Sequence, residues 1–193
     1  QWLSFLKLVM NIFTTNICPV KSAHELCDKH VVKMIVEYAQ LMSTAHRVLD
    51  GNEYYDKTKA GHRIKRWLHP DKIKEELLYK ASHIKHPSGV WCRATTANYD
   101  WLYKHFKASC KEYTKRYDRE HLTETKMLRV LSTPPKNLPK GNLTEFAVAI
   151  AQDQLCRQVL GFNKMTVVDK YKQYIKMDKT FATWTKRDNP YWF

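Results

Sequence analysis

Residues 22–50 read SAHELCDKHVVKMIVEYAQLMSTAHRVLD, and their apolar positions recur at spacings of three and four. At 100° per residue this places Cys27, Val31, Ile35, Tyr38, Met42, Ala45 and Leu49 on one face, with Met34 and Ala39 at its margins. The period predicts one long helix whose apolar face is core. Pro19 precedes it, Ser22 can cap its first turn, and Gly51 can end it with a positive φ. Nearly opposite the core face, His30, Lys33, Glu37, Gln40, Thr44 and Arg47 form an unbroken polar stripe. Two readings are open. An amphipathic helix always has a wet side, and Lys33 with Glu37 is an ordinary i,i+4 pair. An imidazole, a lysine and a carboxylate within two turns, bordered by Met34 and Leu41, are also what proton transfer or charge stabilisation at a partly dry site uses.

The charge balance narrows the partners. Thirty-three Lys and Arg against nineteen Asp and Glu leave a net charge of +14 over 193 residues, which predicts salt-sensitive attraction to polyanions, nucleic acid first among them. No apolar run is long enough to span a bilayer and no helix has a spare bulky face to lie on one, so no membrane partner is expected. Five scattered cysteines without C-x-x-C argue against a disulfide framework and for a reducing, cytoplasmic setting.

Along the chain, Met10 opens the phrase MNIFTT and is a candidate initiator, residues 1–9 then being a leader or extension. Residues 11–15 suit a brief extended segment. Residues 51–88 form a basic loop excursion with one short helix over 71–82 capped by Asp71, and Arg63, Lys65 and Arg66 beside Trp67 make it a phosphate-contacting arm or merely a solvated loop. Helices are expected over 90–117, 120–131, 143–160 and 167–184. The tail pairs aromatic Trp184, Tyr191, Trp192 and Phe193 with Lys186 and Arg187, which suits docking onto the core as well as nucleic-acid contact. The expectation is an all-α protein, a single helical domain over 10–193, with Lys29, Gln40, Arg47, Arg63, Lys65, Arg66, Arg93, Lys104, Lys186 and Arg187 as candidate DNA contacts. There is no glycine-rich phosphate loop, nucleophile elbow or repeat. His24-x-x-Cys27-x-x-His30 has metal-ligand residue types but no second ligand cluster, and Cys27 falls on the core face, so neither metal nor cofactor is expected.

The run His24-Glu25-Leu26-Cys27-Asp28-Lys29-His30, with Glu37 nine residues after Asp28, resembles the first helix of the small phage-type pyrimidine-dimer DNA glycosylases with AP-lyase activity. Glu25, Leu26, Asp28, His30 and Glu37 fall on matching positions without a gap. Residues 89–117, with Gly89-Val90-Trp91 and Tyr99-Asp100-Trp101-Leu102, are similar to a later helix of that family. The chain also resembles a group of phage proteins that begin MNIF and share DK-x-VVKM and HP-x-x-VW phrases.

The resemblance implies chemistry on double-stranded or damaged DNA. An α-amine exposed by removal of the initiator Met attacks sugar C1′, forms a Schiff base and permits β-elimination, helped by a helix-borne Glu. Asn11 would supply the amine, Glu37 would stabilise the cationic sugar and move the proton, His30 would line the pocket, and Lys29 and Lys33 would attract phosphate. An α-amine titrates near 8 and a lysine near 10.4, so at pH 7 about a tenth of the first but only a few in ten thousand of the second is neutral. If residues 1–9 are native, Asn11 is internal and another nucleophile, Lys33 with a depressed pKa, is required. The family carries Arg where Gln40 stands. Two further readings stay open: a non-enzymatic nucleic-acid-binding phage protein, and a basic structural or inhibitory protein for an acidic partner. The enzymatic reading requires Glu37 to stand beside a channel that sugar-phosphate can enter; Glu37 beneath packed side chains, or facing open water far from any cationic hollow, would leave only a positively charged bundle.

Overall fold

The computed structural model describes residues 10–193; the leader expected over 1–9 lies outside them. The described chain is mostly helical: α1 (Pro19–His24), α2 (Asp28–Asp50), α3 (Lys72–Leu77), α4 (Pro87–Cys92), α5 (Thr96–Tyr117), α6 (Leu122–Leu131) and α7 (Val167–Asp178), with one antiparallel hairpin of β1 (Asn52–Lys57) and β2 (Arg63–Leu68). None of these helices is long and apolar enough to cross a membrane.

The long helices α2 and α5 make the centre. Val31, Ile35, Tyr38, Met42 and Ala45 of α2 join Leu102, Phe106 and Cys110 of α5 in one core, each helix supplying the three-and-four stripe that its sequence carries. Thr95 caps α5 by accepting from the Asn98 N–H, and Asp71 caps α3 by accepting from the Ile73 and Lys74 N–H groups.

The helix expected over 22–50 is divided. The chain leaves helix at Glu25 and re-enters at Asp28 with Cys27 as N-cap. Ser22 caps nothing; its hydroxyl accepts from the Thr15 N–H and donates to the Phe13 carbonyl, fixing the 10–15 segment, which is irregular rather than a strand. Gly51 has φ −89° and not the positive φ expected. Its lack of a side chain serves a close approach, because a Cβ there would lie 2.4 Å from the Arg47 carbonyl oxygen.

The apolar run 143–160 is no α-helix, and only Leu155–Gln158 within it makes a 3-10 turn. It is a strap whose backbone groups bond to side chains: Thr144 N–H to Asn98 Oδ1, Ala149 N–H to the Tyr171 hydroxyl, and the Ala149, Ile150 and Ala151 carbonyls to Asn11 and Arg157. Those tertiary bonds replace the helical ladder. The hairpin, too, escaped the sequence, since β1 is exposed on both faces and carries no alternation to detect.

Candidate functional site

The polar stripe of α2 is not its wet side. His30, Glu37, Thr44 and Arg47 are all at most 5% exposed, because the 10–15 segment and the 78–86 loop lie over them. Lys29, Val32, Lys33 and Val36 make the outer edge. The solvated-face reading therefore falls, with α2 covered on two sides.

Glu37, 3% exposed, is the centre of this covered region, so with Met10 in place it stands under packed groups rather than beside the open channel that the enzymatic reading requires. Its Oε2 accepts from the backbone N–H of Asn11 at 3.2 Å, and its Oε1 is 3.3 Å from Lys33 Nζ, an ion pair that leaves Oε1 without an aligned hydrogen bond. Burial raises the carboxyl above its ordinary value, with Lys33 and the Asn11 N–H pulling the other way. The Lys33 side chain is half exposed, so it links Glu37 to the surface. Asn11 is held from three directions: its Nδ2 donates to the Ala149 carbonyl, its Oδ1 accepts from the Ile12 N–H, and Tyr38 donates its hydroxyl to the Ile12 carbonyl at 2.7 Å.

His30 stacks on Phe13 with ring centroids 4.0 Å apart, and Phe181 meets it edge-on. Burial, with Lys179 and Lys33 nearby, lowers its pKa to about 3, so the ring is neutral, and its buried Nδ1 has no partner. Lys29 places its ammonium 4.6 Å from the centre of the Phe181 ring. Tyr174 of α7 lies nearly parallel to Phe13, with ring centroids 5.9 Å apart. Phe13 and His83 both have positive φ, 52° and 49°, a strained state for non-glycine residues that favours functional positions. His83 lies near enough to act electrostatically on Glu37 and opens on a cavity of about 460 Å³ that also meets Lys65, Trp67 and Lys85. His83 is not among the site residues expected from the sequence, although the His83-x-x-His86-Pro87 turn before α4 was a local signal.

Asn11, His30, Lys33 and Glu37 thus come together. The DNA-contact candidates do not form one patch. Arg47 is corrected outright: it is buried, and its guanidinium donates to the Trp67, Glu75, Leu78 and Tyr79 carbonyls and to Glu75 Oε2, stapling the hairpin root and α3 to α2. Arg93 bonds the Ile84 carbonyl, and Gln40 Nε2 the Lys80 carbonyl at 2.7 Å; both hold the 80–86 loop. Lys186 pairs with Asp118, Arg187 with Glu112, and Lys104 with Asp100. Arg63, Lys65 and Arg66 stand on the hairpin, Arg63 3.6 Å over the Tyr55 ring.

Asp28 is an anchor. Its carboxylate accepts from Arg116 Nη1 at 3.0 Å, from the Thr183 and Thr185 hydroxyls and from the Thr185 N–H. Burial would raise its pKa, but these bonds outweigh burial and hold it below the ordinary value. His24, Cys27 and His30 are split between two helices and do not gather as ligands. The sequence profile of the family described as pyrimidine dimer DNA glycosylase matches residues 10–125, well over half of the chain. No curated protein and no solved structure matches it.

Proposed function

Because this chain belongs to the pyrimidine dimer DNA glycosylase family, we propose that it is a glycosylase and AP lyase for a damaged or modified pyrimidine nucleotide in DNA. One observation carries the reading: the Asn11 nitrogen lies 3.2 Å from a buried Glu37 oxygen. Cleavage before Asn11 turns that amide into an α-amine already within a hydrogen bond of the carboxylate. It also removes the Met10 backbone joined to that nitrogen, opening space beside a carboxylate that is otherwise covered.

The amine nitrogen then bonds sugar C1′ as the glycosidic C–N bond breaks and the base leaves with a proton. Ring opening gives the Schiff base. Loss of a C2′ proton expels the 3′ phosphate by β-elimination, and water releases the aldehyde end. Glu37, its proton affinity raised by burial, stabilises the cationic sugar and carries the proton. Neutral His30 lines the pocket, and Lys29 and Lys33 attract the flanking phosphates.

The test uses protein beginning at Asn11 with borohydride and duplexes carrying a pyrimidine dimer, an abasic site or a modified base. A trapped covalent adduct is expected, absent in Glu37→Gln. Neither adduct nor nicking on any of these substrates overturns the reading. A second reading rests on the Asn11 nitrogen being an amide behind Met10 and on Glu37 being covered: non-enzymatic DNA binding. It expects salt-sensitive binding that Glu37→Gln leaves unchanged, with no trap.

A further inference from the structure

We propose a binding site for a divalent transition-metal ion of the zinc class, formed by His46, Asp50 and His69 at the root of the hairpin. His46 and Asp50 are four residues apart on the last turns of α2 and so project one above the other. His69 follows the end of β2, where its N–H donates to Glu75 Oε2 at 2.7 Å. One ligand atom from each of the three lies within 4.8 Å of the others.

The hydrogen bonds around them fix the protons. Tyr99 donates its hydroxyl to the Leu131 carbonyl at 3.0 Å, so its oxygen accepts from His46 Nε2, also at 3.0 Å. A neutral His46 then carries its proton on Nε2 and points a bare lone pair from Nδ1. That Nδ1 makes no aligned hydrogen bond, although the Thr133 carbonyl lies near the ring, and His69 Nε2 is likewise buried without a partner; the two residues are 0% and 6% exposed. Orphaned buried nitrogens of this kind call for an explanation. The Asp50 carboxylate accepts from the Lys136 and Asn137 N–H groups, one on each oxygen, at 2.8 and 2.9 Å, an outer shell that aims a ligand and leaves lone pairs free.

Loading has a definite cost. His69 Nδ1 now accepts from the Asp71 N–H at 3.1 Å, so metal at Nε2 moves the ring proton from Nε2 to Nδ1 and breaks that bond. No proton leaves the ring. Asp71 is exposed, and water takes over its N–H. The ligand atoms must also draw in to the roughly 3.4 Å edge of a tetrahedral site, a movement that falls to His69 on its hairpin root. The fourth position faces a cavity of about 320 Å³ bordered by Lys74 and Lys136. Their ammonium groups oppose a bare cation and favour an anionic fourth ligand, hydroxide or phosphate oxygen.

His46 lies nine residues beyond Glu37, about 14 Å along the helix, so the site is separate from the proposed chemistry. An ion there would clamp the end of α2 to the base of the basic hairpin and to the 136–137 link.

The full chain, stripped with chelator, is titrated with Zn²⁺ by calorimetry and with Co²⁺ by visible absorption. One ion per chain is expected, with Co²⁺ d–d bands and no thiolate charge-transfer band. His69→Gln and Asp50→Asn should each weaken Zn²⁺ by more than the roughly 10–100-fold typical of an outer-shell change, and should lose the rise in Tm that Zn²⁺ gives the wild type. No stoichiometric binding, a thiolate band, or affinity unchanged in both variants overturns the proposal. Ring-nitrogen NMR of the wild type needs no substitution: Zn²⁺ must shift His46 Nδ1 and His69 Nε2, and resonances that stay put also overturn it.

Discussion

Glu37 sets its proposed catalytic role against stability in one side chain. Its raised pKa means that the folded state prefers the protonated form, so its contribution is greatest at acid pH and is lost as pH rises from 4.5 through the raised value. Glu37→Gln is therefore expected to abolish trapping while leaving urea stability at pH 7 unchanged or higher, by about 1 kcal/mol at most. A loss of more than about 2 kcal/mol would instead mark Glu37 as a structural acceptor for Asn11 and Lys33. His30 runs the other way. With a folded pKa of about 3 against 6.5 unfolded, its share of stability is complete above pH 6.5 and disappears as pH falls toward 3. Each such ring adds a slope of at most about 1.4 kcal/mol per pH unit. His30→Phe, which keeps the stack on Phe13, should flatten the urea midpoint between pH 6.5 and 4.5; an unchanged slope would contradict a neutral His30. The residue types and their α2 spacing were legible in the sequence. The burial of the stripe was not, because the covering groups come from residues 11–13 and 78–86, which no helical period connects to it.

Among elements, the join between α2 and the tail is the most consequential. Asp28 begins α2, takes Arg116 from α5, and receives Thr183 and Thr185 from the tail; the Trp184 indole also donates to the Glu25 carbonyl. Asp28→Asn leaves the buried Arg116 with Glu112 as its remaining carboxylate. It should cost about 3 kcal/mol in urea unfolding and make the tail sensitive to proteolysis near Thr183. Resistance equal to wild type would show that the aromatic packing of Trp184 and Phe193 holds the tail alone. The hairpin is the opposite case: its strands pair with each other and are largely exposed. Arg63→Ala, Lys65→Ala and Arg66→Ala together should leave Tm within about 3 °C and reduce duplex affinity, each lost phosphate contact lowering the salt slope by about 0.9. Unchanged affinity would remove the hairpin from the DNA-contact surface. Helix α6 was readable from its period and α3 from its Asp71 cap, though α3 ends at Leu77 rather than 82, and the single helix expected over 90–117 is divided into α4 and α5; the 143–154 strap reads as helix on local propensity and is overruled by Asn11, Asn98 and Tyr171.

On the scale of the whole molecule, charge and fold meet. Lys104, Lys107, Lys111 and Lys115 line the exposed edge of α5, and Lys29 and Lys33 that of α2. Duplex affinity should fall at least about tenfold between 50 and 200 mM salt, measured by fluorescence anisotropy; a flat dependence would rule out DNA as the partner of this surface. By itself the sequence determined the helical class, the two central stripes, the cationic balance and the motif around Asp28, His30 and Glu37, because helical period and net charge are local or additive properties. Tertiary structure alone decided that Glu37 meets the Asn11 nitrogen, that Arg47 is a staple rather than a DNA contact, and that His46, Asp50 and His69 converge. Each of these depends on segments distant in the chain competing for one buried hydrogen-bonding group, and that contest is settled only once the core has closed around them.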